Sequence, residues 1–502
     1  MKPAGLHRLE AASALAFGAL QTLAFVHTVW LWPLPLATLG WLVWRLDAAA
    51  PRHAALLAWC YGTGWLCAGT WWLYVSMHDY GHLPALLAVL AVFALSAALS
   101  LYLAAAGALY AKWRRGRASD ALLFAALWLL AELARGLVFT GFPWVASGYS
   151  QVDAPLGALA PYLGVYGIGA VLAFAAAAGV GLAVRRAIWP MAAAVLLVAV
   201  ARLLPAEFTA PAGELPVVLL QPNVAQDEKF AIDRMPEALA WVAAALRQPT
   251  AGLVVAPETA VPLLPGQLTD FAPGYWDALN LHFAADAGRA ALVGVPLGDY
   301  ERGYTNSVAG LSSAAGPEYR YDKRHLVPFG EFNPPGFRWF TTMLGMPLGD
   351  FSRGVPNAPS FAYGGQRLAP NICYEDLFGE ELALRFADPA QAPTVFVNVT
   401  NIGWFGNTVA LPQHLNISRL RALEFQLPML RATNTGTTAF IDHRGRVGAQ
   451  LPVLTRGVLQ GTVQGRAGVT PFAWWAARAG LWPLVLVALA VLGLSRWARR
   501  PG

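Results

Sequence analysis

The chain has 502 residues, 57% of them hydrophobic and 13% charged, with a net charge of +6 and a mean hydropathy of +0.46. Soluble domains carry about 25% charged residues, so a wholly water-soluble chain is excluded and much of this one belongs in lipid; the 20 Trp fit, because Trp collects at membrane interfaces. The basic balance does not mark a nucleic-acid binder, since Lys and Arg cluster in short loops between apolar runs and no basic stripe interleaved with aromatics occurs in the polar part.

A membrane span takes about 20 mostly apolar residues. Residues 1–207 offer about seven such stretches: 11–25, 28–44, 54–76, 83–111, 121–140, 162–184 and 188–201. A last one, 481–494, is flanked by Trp474, Trp475 and Trp497. Lys2 and Arg8 before the first stretch imitate a secretory signal, but further spans follow at once, so it reads as an uncleaved helix. Alternate loops carry the basic residues: Lys2 and Arg8; Arg45 and Arg52; Lys112, Arg114, Arg115 and Arg117; Arg185 and Arg186; Arg496, Arg499 and Arg500. The short loops between them, around His27, from His78 to His82 and from Gly141 to Pro155, hold no Lys or Arg. Positive loops stay in the cytoplasm, so both termini are expected there and the large polar segment on the far side. Within the stretch 121–140, Glu132 and Arg135 lie one turn apart on one face and can pair. Charges inside a span mark function by default; a pair that locks helix packing is the alternative.

Residues 208–468 are different in kind. Short apolar runs at 215–220, 252–255, 291–295 and 394–399 read as buried strands, and 236–247 and 413–427 as helices, which predicts an α/β domain. Residues 469–502 return to the membrane as a last helix and a cytoplasmic tail. Cys60 and Cys67 sit in one apolar segment and read as small buried hydrophobes. Cys373, the only cysteine of the polar part, has no local disulfide partner and no Cys/His metal spacing around it. There is no zinc spacing, P-loop or dinucleotide fingerprint, so no cofactor is expected.

Three stretches of the polar part each end a strand with a reactive group: Val254-Val255-Ala256-Pro257-Glu258-Thr259, Tyr321-Asp322-Lys323-Arg324-His325 and onward to Glu331, and Asn371-Ile372-Cys373-Tyr374-Glu375-Asp376. Taken singly, Glu258 reads first as a surface carboxylate, Lys323 as a loop charge and Cys373 as a core thiol. Together they resemble the nitrilase superfamily, which uses a Glu–Lys–Cys triad in this chain order. The chemistry is coherent. A thiolate is the nucleophile, and a lone thiol has a pKa of about 8.5. A nearby ammonium and a helix N-terminus over 374–377 are expected to stabilise the thiolate. A carboxylate can take the thiol proton, and the lysine with backbone N–H groups can hold an oxyanion.

Further motifs narrow the resemblance. Gly64-Trp65, Trp72 to Ser76, Thr140-Gly141-Phe142-Pro143-Trp144, His325 to Phe332, Trp404-Phe405-Gly406, Gln413-His414, Arg421 to Glu424 and Arg431 to Gly436 are similar to segments of the apolipoprotein N-acyltransferase family. That resemblance spans nearly the whole chain. It implies a multi-span α-helical membrane domain carrying an α/β nitrilase-like α-β-β-α sandwich on the periplasmic side of a bacterial inner membrane. It implies a glycerophospholipid donor, typically phosphatidylethanolamine, and a diacylated apolipoprotein acceptor, with a thioester on Cys373. Glu258 would move protons and Lys323 would hold the oxyanion. Glu331 would back up Lys323 or Glu258, Tyr374 and Glu375 would shape the pocket, and Trp404 would wall it. The chain departs from the family pattern at Phe230, where Trp is common, and at Ile402, where Asn or Asp is common. The segment 329–356, rich in aromatics and glycine, suggests a flap that admits lipid chains or, equally, an ordinary packed loop. A monomer is expected, and no nucleic-acid partner. Two other readings use the same residues or none of them: a membrane-anchored amidase with water as acceptor, and a transporter or receptor, which would need charges in several spans or broken, repeated helices.

Overall fold

A computed structural model describes residues 8–203, 206–229, 231–313, 318–334, 336 and 350–497. Phe230, and the middle of the expected flap at 335 and 337–349, lie outside the described residues. The chain divides into two compact units: Met1–Tyr74, Leu83–Ala206 and Ala479–Gly502 form one, and Val75–His82 with Glu207–Arg478 the other.

The first unit is helical. Its helices run Arg8–Leu20, Leu34–Ala48, Pro51–Thr70, Ala85–Trp113, Asp120–Leu137, Ala160–Arg185, Ile188–Leu203 and Trp482–Trp497. Each apolar stretch of the sequence therefore has a helical counterpart. Among the described residues, three helices are long and apolar enough to cross a membrane: Ala85–Trp113, Asp120–Thr140 and Pro155–Arg185. A fourth is added if the consecutive helices Pro471–Ala479 and Trp482–Arg496 count as one broken span. The others fall short for local reasons. The first helix gives way to a tight turn over Gln21–Phe25, and Pro33 precedes the helix Leu34–Ala48, which has 15 residues.

Small residues let these helices approach closely. A Cβ on Gly18 would lie 1.9 Å from the Tyr61 carbonyl oxygen, and one on Gly64 would lie 2.1 Å from that of Leu15. The buried Tyr61 hydroxyl is within hydrogen-bond distance of Gln21 Oε1, at 2.9 Å, and of the Thr38 hydroxyl, at 3.0 Å, tying three helical segments together. Glu132 and Arg135 do pair, at 3.4 Å and almost fully buried. Their other bonds decide between the two readings of that pair. Glu132 accepts from the Ser147 backbone N–H at 2.8 Å and the Ser147 hydroxyl at 2.7 Å. Arg135 donates to the Phe142 carbonyl at 2.8 Å and lies over the Trp65 ring. The pair fastens its helix to the 142–147 loop, which is a packing role. Cys60 is buried and Cys67 half-buried, both as free thiols.

The second unit is a sandwich. Its strands are β1 (Thr209–Gln221), β2 (Gly252–Val255), β3 (Arg289–Asp299), β4 (Gly303–Ser312), β5 (Tyr319–Asp322), β6 (Phe361–Tyr363), β7 (Gln366–Ile372), β8 (Val395–Thr400), β9 (Met429–Thr433), β10 (Ala439–Ile441), β11 (Val447–Gln450) and β12 (Gly457–Gly468). Among the described residues they make two six-stranded sheets, ordered β12-β1-β2-β3-β4-β5 and β11-β10-β9-β8-β7-β6. Each has a parallel centre, β1-β2-β3 in one and β7-β8-β9 in the other, with antiparallel flanks.

Alternation along the strands builds the layers, because successive side chains point to opposite faces. Leu215, Val217 and Leu219 of β1 pack inward against Val395, Val397 and Val399 of β8 and Leu368 and Ile372 of β7. Val218 and Leu220 turn outward onto the helices Met235–Arg247 and Tyr275–Ala284. Phe396 turns outward on the other side, against Ala422 and Phe425 of the helix Ala410–Phe425 and Phe472. The result is the α-β-β-α order. Strands β2, β5, β7 and β8 all deliver their C-terminal ends to polar residues, and ligands in open parallel sheets bind beyond such ends.

Candidate active site

Glu258 follows β2 by three residues, Lys323 follows β5 directly, and Cys373 follows β7 directly. The structure brings all three together. The Lys323 Nζ lies 3.3 Å from Glu258 Oε1 and 2.9 Å from Glu331 Oε1, wholly buried between the two carboxylates. Asn306, in the middle of β4, donates from Nδ2 to the same two oxygens at 2.7 and 2.8 Å. The Asn401 backbone N–H holds the second Glu258 oxygen at 2.7 Å, and the Val327 N–H holds that of Glu331 at 2.8 Å. The lysine's own backbone is clamped on both sides, its N–H by the Asn306 carbonyl and its carbonyl by the Gly354 N–H.

Cys373 is a partly buried thiol at φ 52°, a left-handed conformation that costs a non-glycine residue energy and points the side chain off the strand end. Glu375, two residues on, does not face the thiol. Its carboxylate accepts from the N–H groups of Ile372 at 2.7 Å, Arg324 at 2.7 Å and His325 at 3.2 Å, and from the Tyr321 hydroxyl at 2.8 Å. It thereby staples the cysteine turn to the lysine loop. Tyr374 is buried against His325 and Phe378. Trp404, 41% exposed, lies three residues after Asn401, with Tyr80 of the segment Val75–His82 edge-on at 5.8 Å. Ile402 is buried, in the same tight turn Ile402–Phe405.

One electrostatic expectation is overturned. Burial, and then the Glu258 carboxylate, push the Cys373 thiol up to about 12, against the pull of the Lys323 ammonium and the Thr400 hydroxyl. The expected helix N-terminus is a single tight turn over Cys373–Leu377, too short to sum many peptide dipoles. The resting thiol is therefore protonated, and its proton has to be taken at the moment of attack. Glu258 is in the state to take it. Burial pushes its carboxyl up, but Lys323, the Asn306 amide, the Asn401 N–H and Lys229 outweigh burial and hold it below the usual carboxylate range. Burial pulls the Lys323 ammonium down, yet the Glu258 and Glu331 carboxylates outweigh that and keep it charged.

Asn306, Asn398 and Ser418 were not singled out in the sequence, whereas Asp376, His414 and Arg431 lie in the quoted motifs. Asn306 had a weak signal, because Thr305-Asn306-Ser307 is a polar run within a buried strand. Behind the cysteine turn lies a fully buried network. Asp376 accepts from His414 at 3.0 Å and from the Ser418 hydroxyl at 2.6 Å. Arg431 donates to Ser418 at 2.6 Å, His414 Nδ1 at 2.9 Å and Asn398 at 3.1 Å. Burial and then Arg431 hold the imidazole below its ordinary value, so His414 is neutral, accepting at Nδ1 and donating from Nε2. Asn398 passes the restraint on, to Asn371 at 2.7 Å and to the Cys373 carbonyl at 3.4 Å.

Comparison with known proteins settles which family uses this arrangement here. Residues 17–178 match the model of the apolipoprotein N-acyltransferase N-terminal domain, and residues 220–472 that of the carbon-nitrogen hydrolases. A relative from Verminephrobacter eiseniae named apolipoprotein N-acyltransferase is 55% identical over 90% of this chain and 89% of its own. One of the same name from Ralstonia nicotianae is 45% identical over 98% of this chain and 95% of its own. The chain belongs to the apolipoprotein N-acyltransferase family. Solved structures of carbon-nitrogen hydrolases align more distantly. An amidase of Nesterenkonia gives a TM-score of 0.38 at 16% identity, covering 55% of this chain and 99% of that one. Membership in an acyltransferase family, with its matching N-terminal domain and apolar helices, makes this a membrane-associated enzyme and disfavours both the amidase and the transporter.

Proposed function

We propose that the protein moves one acyl chain from a glycerophospholipid to the N-terminal amine of a diacylglyceryl-cysteine on an apolipoprotein, through a thioester on Cys373. The observation that carries the reading is the buried Glu258–Lys323–Glu331 cluster at the strand ends that also deliver Cys373, in a chain of this family. Glu258 takes the Cys373 proton as sulfur attacks the sn-1 ester carbonyl of the donor, phosphatidylethanolamine in the typical case. Lys323 donates to the oxyanion. The ester C–O bond breaks, Glu258 returns its proton to the leaving oxygen, and the lysophospholipid departs. The acceptor amine then attacks the thioester, Glu258 takes the amine's proton, and the proton ends on the sulfur as the C–S bond breaks. One covalent intermediate serving two substrates in turn implies ping-pong kinetics. The site residues keep the roles the resemblance gives them, except that Glu375 supports the two loops instead of the pocket. No step calls for a metal or cofactor. We place the enzyme in a bacterial inner membrane as a monomer, with the catalytic unit on the periplasmic side and both termini in the cytoplasm; the alternation of basic loops supports that orientation.

Intact-mass analysis after incubation with phosphatidylethanolamine tests the reading. A hydroxylamine-labile gain of one acyl chain on the native protein, absent from Cys373→Ala, is the expected result. No adduct on the folded native protein, together with ammonia release from a soluble amide, would instead return the amidase.

A further inference from the structure

The reaction above uses one lysine, and the structure holds a second. Lys229 lies in the loop after β1, 6% exposed. That loop is fixed on its other side: the Asn223 N–H donates to the Asn434 carbonyl at 3.0 Å, Asn434 exchanges bonds with the backbone of Val224 at 3.0 and 2.8 Å, and Asn401 donates to Gln226 at 2.8 Å. From this frame the Lys229 ammonium donates to the Glu258 carbonyl at 3.2 Å and to the Thr259 hydroxyl. Both acceptors belong to the Pro257–Glu258–Thr259 turn. The turn is strained, with Thr259 at φ 47°, and it rests on β3 so closely that a Cβ on Gly294 would stand 2.2 Å from the Pro257 carbonyl oxygen. A left-handed threonine beside a wall of backbone needs an external clasp, and Lys229 is placed to be one.

A neutral donor could make the same two bonds, so the charge calls for its own explanation. Burying an ammonium is costly, and burial pulls that of Lys229 down to about 8, against the attraction of the Glu258 carboxylate. Around Glu258 stand Lys323 and Lys229 as cations, Cys373 as the thiol, and Asn306 and Asn401 as neutral donors. Glu331 faces Lys323 from the other side. Asp227 and Glu228, on the segment of Lys229 itself, are exposed to solvent.

We propose that Lys229 is a positioning residue for the Glu258 base: its ammonium clasps the turn that carries Glu258, and its charge keeps the carboxylate ionised and ready for the Cys373 proton. This rests on the proposed role of Glu258 as base. Lys323 touches the same carboxylate but is divided between Glu258 and Glu331 and is assigned to the oxyanion. Lys229 reaches Glu258 from the backbone side and is left undisturbed when substrate arrives.

The test is the pH dependence of thioester formation in a single turnover with phosphatidylethanolamine, read by intact mass, for the native protein, Lys229→Gln and Lys229→Arg. Gln keeps a donor for the turn and removes the charge. Loss of an opposite charge near a carboxylate raises its pKa by about one unit or more. Lys229→Gln is therefore expected to form thioester about tenfold more slowly near the acid limb, with that limb moved up by about one pH unit, and to approach the native rate above it. Lys229→Arg, which keeps the charge, is expected to restore the limb. A residue that only braced the fold would lower the rate at every pH and leave the limb in place; that result, or native behaviour in Lys229→Gln, overturns the inference. Lys229→Met with a native unfolding temperature but an unmoved limb would overturn it too. If the native protein itself forms no thioester, the proposed function fails instead, so the two failures are distinguishable.

Discussion

At the scale of single residues, the site separates tasks that the sequence assigned together. The thiol was expected to be activated at rest. Instead burial, and then the Glu258 carboxylate, lift it to about 12, and the same carboxylate is held ionised by two lysines and two neutral donors. A protonated thiol resists alkylation and oxidation between turnovers, because the thiolate is the reactive form. Replacing Glu258 by Gln removes one of the three influences that raise the thiol and leaves burial and the Glu331 carboxylate. The pH midpoint for iodoacetamide alkylation of Cys373, followed by peptide mass, should therefore move down in Glu258→Gln. Thioester formation from phospholipid should fall by about 10²–10⁴, the usual contribution of a general base. A midpoint that stays or rises would mean that the carboxylate does not govern the thiol.

At the scale of elements, the cysteine turn is held from below. The helix Ala410–Phe425 supplies His414 and Ser418, β9 supplies Arg431, β8 supplies Asn398, and the turn supplies Asp376. None of these side chains is more than 1% exposed. Removing one partner of a buried charge network strands the other, at about 3–5 kcal/mol. Arg431→Met should thus lower the unfolding temperature by roughly 10 °C, and a shift within a degree or two would show that Asp376 is content without it. Strand β2 was legible to the residue, because a continuous apolar run bounded by Gly and Pro has few other uses, whereas β1 and β3 extend beyond the apolar runs that marked them and β8 is offset by one residue. The ends of the triad strands were legible too, from motif spacing. Asn306 and Lys229 were not. Each is a polar residue whose meaning comes from what folding brings beside it, Glu331 in one case and the Glu258 turn in the other, 25 and 29 residues away in sequence. The strands β4, β9 and β12 were not read from the sequence, nor were the short β6, β10 and β11, whose three or four residues are too few for a period to register. Glu375 was seen as a neighbour of the nucleophile, yet its four hydrogen bonds turn it toward the backbone of two loops, which adjacency in sequence could not reveal.

At the scale of the whole molecule, chemistry and membrane placement constrain each other. A thioester waiting for an amine has to be kept from water, and both proposed substrates carry acyl chains anchored in a bilayer. The helical unit supplies an anchor with at least three helices able to cross, and the alternation of basic loops supports the proposed placement of the catalytic unit on the periplasmic side. Two exposed loops on opposite sides of that assignment make it testable. The turn at Tyr300–Arg302, between β3 and β4, is solvent-exposed and belongs to the catalytic unit. The loop at Arg114–Arg117 joins two helices of the other unit, and a Cβ on its Gly116 would meet nothing within 4 Å. A protease site inserted in the first loop should be cut when protease is added to spheroplasts and spared in inverted vesicles. A site in the second should behave the opposite way. Cleavage of the second alone in spheroplasts would reverse the orientation, and with it the compartment in which the acceptor amine must be presented; cleavage of both would put the two loops on one side and overturn the alternation.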